Sequence, residues 1–458
     1  MKLFLLTVSL LMAAGTTKAQ QFFYDGAVDS NSKAVMAKAE QDIEKYRKDN
    51  FTFVLIDSNN NPVKGVKVKA ELDKHQFNFG TNLFGLSKYP DENPLKRTAL
   101  QTIKDIFNQV VVCDYWFNPR DKMGDKQPFK DVEWAKANDM RMRLHCILYE
   151  LRSETFPHRE YTTDECWKMI EERIKYIGKH FNGIISEFDV INEVISKFAW
   201  EKNSPNAFWK LFPNFPEFKD PQNAVKVYKL ARKYIPDGKL VCLENPMPSV
   251  NSKLYLEVID YWKELLANGA DIDIIATQCH FFDKGKPYPE SKEFTMASIS
   301  EGLDLLQSLG KPIAITEFTG PSRNGEMADP VQRDKLWTLT DEENAAWQVN
   351  FYKLAFSKPY IFELVRWNHI DGGCGRAADG GIITPSGVKH QVYYDLKKLI
   401  KETWHTKYEG KSNSKGEVSF RGFYGDYKIE VPGYETADIM LYDTDKGIIK
   451  VMLSKCPN

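Results

Sequence analysis

The chain has 458 residues, of which 42% are apolar, with 62 Lys and Arg against 63 Asp and Glu. A chain of that length holds one large domain plus a smaller one, or a barrel with appendages. The formal net charge of −1 argues against a nucleic-acid or anionic-membrane partner, and neither is expected.

The first residues, MKLFLLTVSLLMAAGTTKAQ, place one Lys before an apolar run and small residues before Ala19. That is the layout of a secretory signal peptide over residues 1–19, too short for a stable membrane anchor. It predicts export to the periplasm or the extracellular space. No other apolar run approaches the roughly 20 residues of a spanning helix. Residues 20–50 form an N-terminal helical segment, where 31-NSKAVMAKAEQDIEKYRKDN-50 predicts one exposed helix. Residues 51–76 then alternate apolar and polar as strands do, broken by the turn-rich SNNNPVKG.

From residue 77 to 403 a strand-then-helix rhythm repeats. Strands are predicted in 77-FNFGTNL-83, 109-QVVVCDYW-116, 141-RMRLHCILY-149 and 185-ISEFDVINE-193. They continue in 239-KLVCLEN-245, 272-IDIIATQCHF-281, 312-PIAITEF-318 and 363-ELVRWNHI-370. Amphipathic helices separate them, for example 163-TDECWKMIEERIKYIGKHF-181 and 252-SKLYLEVIDYWKELLANG-269. Near-continuously apolar strands in this alternation argue for a parallel sheet covered on both faces. Eight such units predict an α/β fold of the (β/α)8 TIM-barrel type. An open doubly wound sheet is the runner-up, but no Gly-rich phosphate loop follows the first strand. Residues 404–458 return to strand alternation, as in 416-GEVSFRGFYGDYKIEV-431. They are expected to pair with residues 51–76 in one small β-domain, read as a brace or as a second glycan-binding surface.

The seven Cys are an odd number, and four of them (Cys113, Cys146, Cys242, Cys279) lie in apolar strand-like runs. Few or no disulfides are expected. No His/Cys/Asp spacing has metal-ligand form, so no metal and no cofactor is expected. A monomer is the expected state.

The run 184-IISEFDVINEV-194 closes a buried strand on Asn192 and Glu193, and a carboxylate is rarely buried without a reason. The C-terminal ends of the strands line the working face of a (β/α)8 barrel. Glu193 ends predicted strand 4, and one other strand end offers a comparable acid, Glu317 in 313-IAITEFTG-320 on strand 7. Either acid alone reads equally well as an ion pair holding a loop, or as an anion near a helix N-terminus. As a pair across the barrel mouth they suit glycosidic-bond hydrolysis. One stays protonated to feed the leaving oxygen, and the other stays ionised to attack the anomeric carbon. An imidazole beside the second acid would favour its ionised form, so Glu193 is expected to titrate well above Glu317.

Asp189-Val190-Ile191-Asn192-Glu193 resembles the D-V-x-N-E motif of family 10 glycoside hydrolases, the xylanase family. Residues 312-PIAITEF-318 resemble its I-T-E-L/F motif, and 277-TQCHFF-282 its Q-x-H motif. Arg143 and His145 on strand 3, then Trp367 with Asp371 on strand 8, extend the matches in order across residues 77–403. The resemblance implies a retaining, two-step mechanism with Glu193 as general acid/base and Glu317 as nucleophile. It also implies that Asn192 binds the sugar 2-hydroxyl, His280 orients Glu317, and Gln278 supports Glu193. His145 would bind sugar hydroxyls and Trp367 would form the floor of the site. Outside such company, His280 and Trp367 would read as core residues.

The departures from that family fall on substrate-positioning residues. The strand 2 segment E-N-x-x-K-W becomes 112-VCDYWFNPRDKMG-124, offering Asp114, Tyr115, Trp116 and Asn118 without the Lys. After strand 3, Tyr149-Glu150 replaces Trp-His; Tyr149 and Trp116 are the substrate-binding candidates in these altered segments. The strand 5 motif N-D-Y-N becomes 243-LENP-246, keeping an acid in Glu244, and strand 8 adds His369 and Arg376. Arg143, Arg366 and Arg376 either receive a carboxylate of a substituted glycan or form ordinary salt bridges. Trp200, Trp209 and Trp337 are candidate outer sugar platforms. The expected function is an exported retaining hydrolase of β-linked polysaccharide, endo-β-1,4-xylanase-like. The alternatives are the same mechanism on another β-glycan or on short β-glycosides, and a non-catalytic glycan-binding barrel.

Overall fold

The computed structural model describes residues 23–86, 89–116, 126–149, 160–196, 214–282, 295–323, 331, 339–367, 369–372, 378–444 and 447–456. Helix α1 (Ser30–Tyr46) starts on Asp29, whose carboxylate accepts from the Ser32 N–H. Strands β1 (Lys48–Ile56) and β2 (Lys67–His75) follow. The sequence predicts an exposed helix here, but α1 buries Ser32, Met36, Ala39 and Ile43, one apolar stripe at helical spacing. That stripe packs on barrel helices described next.

Eight parallel strands form the barrel: β3 (Asn78–Asn82), β4 (Gln109–Cys113), β5 (Arg141–His145), β6 (Glu187–Asn192), β7 (Lys239–Glu244) and β8 (Ile274–Thr277), then, past β9 (His280–Phe282), β10 (Ile313–Ser322) and β11 (Ile361–Arg366). They pair in that order, and β10–β11 and β11–β3 contacts close the ring. Strands covered on both faces have no polar side to show, and β6 and β10 are accordingly buried at every position. The connecting helices are α2 (Pro94–Ile106), α3 (Gln127–Ala137), α4 (Thr163–Phe181), α5 (Pro221–Tyr234), α6 (Lys253–Ala267), α7 (Met296–Leu306) and α8 (Asp341–Ser357), with α9 (Gln391–Lys398) after β11. Helix α1 lies against α7 and α8.

Local chemistry explains these boundaries. Helix α4 begins with a reciprocal capping box between Thr162 and Glu165, and it buries Ile170, Ile174 and Ile177 at intervals of three to four. Gly178 on the same helix has no alternative, because a Cβ there would sit 2.2 Å from the Tyr234 carbonyl oxygen of α5. The predicted sixth strand is broken at Cys279, whose φ of +62° lies in the left-handed region. The break turns β9 away, and His280 pairs with Thr319 of β10.

The barrel interior holds a charged layer in place of the usual aliphatic one. Arg143 is fully buried among Glu187 (2.8 Å), Asp189 (2.8 Å) and Glu363 (2.5 Å). Gln109 and Asn78 donate to the same Glu363 at 3.0 and 3.2 Å. Burial and the facing Glu363 push Glu187 well above the usual carboxylate range, so the layer holds a proton as well as a guanidinium. Arg366 donates to Gln348 and to the Gly380 carbonyl from an equally buried position. Both arginines are thus spent inside the fold and are not offered to a substrate carboxylate.

After α9 the chain adds β12 (Lys407–Lys411), β13 (Glu417–Phe423), β14 (Gly425–Glu430), β15 (Ala437–Leu441) and β16 (Ile449–Met452). These sort with the N-terminal strands into two sheets, β13-β1-β16 and β12-β2-β14-β15. Phe51 of β1 meets Tyr427 of β14 at 6.1 Å between ring centroids, so the sheets share one core. An aromatic cluster of Phe77, Phe79, Phe356, Trp404 and Phe423 joins this sandwich to the barrel. Arg47 adds hydrogen bonds to the Phe356 and Lys358 carbonyls, both at 2.6 Å. Phe356 precedes β11 and Phe77 precedes β3, so the sandwich sits at the N-terminal end of the barrel, opposite the strand ends that carry Glu193 and Glu317.

Candidate active site

Strand β6 delivers Asn192 as its last residue and Glu193 immediately beyond it. Glu193 adopts φ +56°, a left-handed conformation that costs a residue with a Cβ about 1–3 kcal/mol. The turn aims its carboxyl into the mouth rather than along the strand. There Tyr149 donates to Oε2 at 3.0 Å and Asn245 donates to Oε1 at 2.8 Å. Glu193 is 8% exposed and Glu317, within β10, is 4% exposed.

Glu317 is held from one side. Nε2 of His280 lies 3.3 Å from its Oε2, and Nδ1 of His280 meets the Thr319 hydroxyl at 2.9 Å. Its Oε1 has no hydrogen-bond partner among the described residues and lies 3.7 Å from Nε2 of His145. Nδ1 of His145 is 2.8 Å from Asp189, which also receives Arg143. Burial pushes the Glu317 carboxyl up to about 8, against the pull of His145 and with further push from Glu193. This reverses the expectation that Glu317 is the acid held low, because desolvation outweighs the imidazole. Burial also works against a charged His145, but the Glu317 and Asp189 carboxylates outweigh it and hold that imidazole above its ordinary value.

The walls are aromatic. Trp367 meets His145 edge-on at 4.9 Å, and Phe84 stacks on Trp367 at 6.2 Å while remaining 45% exposed. Tyr115 bridges His145 (5.4 Å) and Tyr149 (6.3 Å). The structure therefore gathers Glu193, Glu317, Asn192, His145, His280, Tyr149 and Trp367 at one end of the barrel. Gln278 belongs elsewhere: it is fully buried and donates to Oδ1 of Asn192 at 3.0 Å, so it orients Asn192, and Asn245 takes the place expected of it beside Glu193. Trp116 is half-buried against the core, and the neighbouring Tyr115 supplies the ring that reaches the site. Asp114 is ion-paired with Arg173 of α4 at 2.9 Å. His369 is buried on the Thr102 hydroxyl at 2.7 Å, and burial pushes it down to about 3. Asn118, Glu150, Trp200, Trp209, Trp337 and Arg376 lie outside the described residues.

Sequence reading missed Asn245, Phe84 and Thr319. Asn245 follows the acid of the altered strand 5 segment, and Phe84 lies two residues past the first barrel strand, so position just beyond a strand end was the available signal for both. No group of His, Cys, Asp and Glu among the described residues is arranged to hold a metal ion, and no described helix is long and apolar enough to cross a membrane.

A closed parallel barrel with one acid just past its fourth strand and another within its seventh, the latter backed by two imidazoles, defines a two-carboxylate (β/α)8 protein. Residues 87–372 match the model of glycosyl hydrolase family 10, and the chain belongs to that family. It is 27% identical over 403 residues to anti-sigma-I factor RsgI6 of Acetivibrio thermocellus, covering 86% of this chain and 46% of that protein. It is 22% identical to endo-1,4-beta-xylanase 3 of Arabidopsis thaliana, covering 69% of this chain and 37% of that one. The chain thus spans less than half the length of either relative. Xylanase 10B from Thermotoga petrophila RKU-1, in complex with xylobiose, shares the fold with a TM-score of 0.54 at 19% identity, covering 72% of this chain and 95% of that one.

Proposed function

We propose that this chain is a retaining glycoside hydrolase that cleaves a β-1,4-linked xylan, or a closely related β-glycan, within the polymer. The observation that carries the reading is the unequal treatment of the two acids. Glu193 has both oxygens hydrogen-bonded, as suits a group that must hand a proton to a leaving oxygen at a fixed place. Glu317 has one oxygen held by His280, while Oε1 accepts no hydrogen bond among the described residues, as suits an attacking atom.

In the first step Oε1 of Glu317 bonds to the anomeric carbon as the glycosidic C–O bond breaks, and the Glu193 proton goes to the departing oxygen. In the second, Glu193 takes a proton from water, whose oxygen displaces Glu317. A carboxyl that rests protonated must lose that proton before attack. His145, 3.7 Å away and backed by Asp189, is the neighbouring base that can hold it as imidazolium. Asn192, oriented by Gln278, supplies the contact to the 2-hydroxyl.

Family membership and the xylan-acting relatives support xylan as the class of substrate. The rebuilt wall of Tyr115, Tyr149 and Phe84 supports altered subsite preferences, since changed polar partners discriminate strongly. The signal-like residues 1–19 support export. The test is reducing-sugar release from purified β-glycans by the native chain and by Glu317→Ala. Cleavage of xylan that the variant abolishes is the expected result. No release by the native chain across the panel would leave a glycan-binding barrel in its place.

A further inference from the structure

Glu244, the last residue of β7, is 1% exposed and has no part in the steps above. Its Oε1 accepts the Ile195 N–H at 2.7 Å, and its Oε2 accepts the Ser196 N–H at 3.1 Å and the Ser196 hydroxyl at 2.7 Å. The same Ser196 Oγ accepts the Asn245 N–H at 3.3 Å, and the Asn245 side chain donates to Glu193 at 2.8 Å. The Glu193 N–H in turn donates to the Leu243 carbonyl at 3.3 Å. Ile195 and Ser196, the second and third residues after Glu193, and Leu243 and Asn245, which flank Glu244, thus form one closed hydrogen-bonded circuit around the left-handed turn.

We propose that Glu244 is a positioning residue for Glu193: it clamps the strained turn on which Glu193 stands, and when ionised it places a second negative charge behind that carboxyl. The inference rests on Glu193 being the acid/base. The clamp answers a structural need, because a left-handed Glu persists only where its surroundings over-determine it. The charge follows from the donors: two backbone N–H groups and a hydroxyl favour the carboxylate, while burial disfavours it. Burial wins in part and pushes Glu244 up to about 7, with Glu193 adding to the rise. The titratable groups facing Glu244 among the described residues are Glu193 from the end of β6, Cys242 on its own strand and Tyr261 from α6. Repulsion between two carboxylates is mutual, so a charge on Glu244 opposes a charge on Glu193.

The experiment is the pH dependence of kcat/KM for the native chain, Glu193→Gln, Glu244→Gln and Ser196→Ala, on an aryl β-xyloside with a poor leaving group. The alkaline limb should vanish in Glu193→Gln. In Glu244→Gln it should move to lower pH by about one unit, a roughly tenfold loss on that limb with the acidic limb in place. Ser196→Ala, which keeps the carboxyl but removes one donor, should move it the same way by less, and it serves if Glu244→Gln does not fold. A limb that vanishes in Glu193→Gln yet stays fixed in the other two variants, or a uniform loss at every pH, overturns the proposal alone. A limb that persists in Glu193→Gln overturns the acid/base reading and this proposal with it.

Discussion

Nε2 of His145 faces Oε1 of Glu317 across 3.7 Å, while its other ring nitrogen is tied to Asp189 at 2.8 Å. The imidazole thus stands between two buried carboxyls, and its charge pulls Glu317 down. His145→Gln removes the larger of the two charges that pull Glu317 down, leaving that of Arg143. The expected outcome of His145→Gln is an acidic limb of kcat/KM displaced upward by about one pH unit, with about tenfold loss near pH 6. A pH–rate profile on an activated aryl glycoside reads it directly.

The same burial makes Glu317 a stability liability. Its folded value near 8 lies above its ordinary 4.5, so between those values the folded chain binds a proton that the unfolded chain does not. Stability therefore falls as pH rises through that window. Glu317→Gln escapes the penalty. It should melt a few degrees above the native chain at pH 8 and above, with the difference closing below pH 4.5; calorimetry across pH checks both ends.

Arg143 is the guanidinium that pairs with Glu187, Asp189 and Glu363 in the charged layer. Arg143→Met leaves those acids uncompensated, a loss of roughly 3–5 kcal/mol for a buried pair broken on one side. The deficit should shrink as pH falls, because the acids then take up protons. Urea denaturation at pH 7 and pH 5 measures the two values.

Phe84 offers an exposed ring on the outer side of Trp367. A sugar packed there is held by aromatic contact worth roughly 0.5–1.5 kcal/mol. Phe84→Ala should raise KM for xylo-oligosaccharides by about two- to tenfold and leave kcat on a short aryl glycoside within about twofold. Steady-state kinetics on the two substrates separate a platform from a core residue.

Much of this was legible in the chain itself. Eight apolar runs at strand length, separated by helices with their own caps, admit few arrangements other than a closed parallel barrel. Asn192-Glu193 and Glu317 could be picked out because each ends such a run with a group that apolar surroundings reject. The segment 31–50 misled, because its sparse apolar residues look solvated until α7 and α8 come to lie against them.

The sequence by itself determined the barrel and singled out Glu193 and Glu317 as candidates, since periodicity and strand-end position are properties of the chain. Only the tertiary structure decided how the acids are treated. That Gln278 serves Asn192, that Asn245 and Tyr149 hold Glu193, and that Arg143 is spent on three interior acids depends on which side chains meet across strands far apart in sequence. The proton affinity of Glu317 was decided the same way: a nearby imidazole can be guessed from a motif, but the desolvation that overrides it exists only once the barrel has closed around the carboxyl.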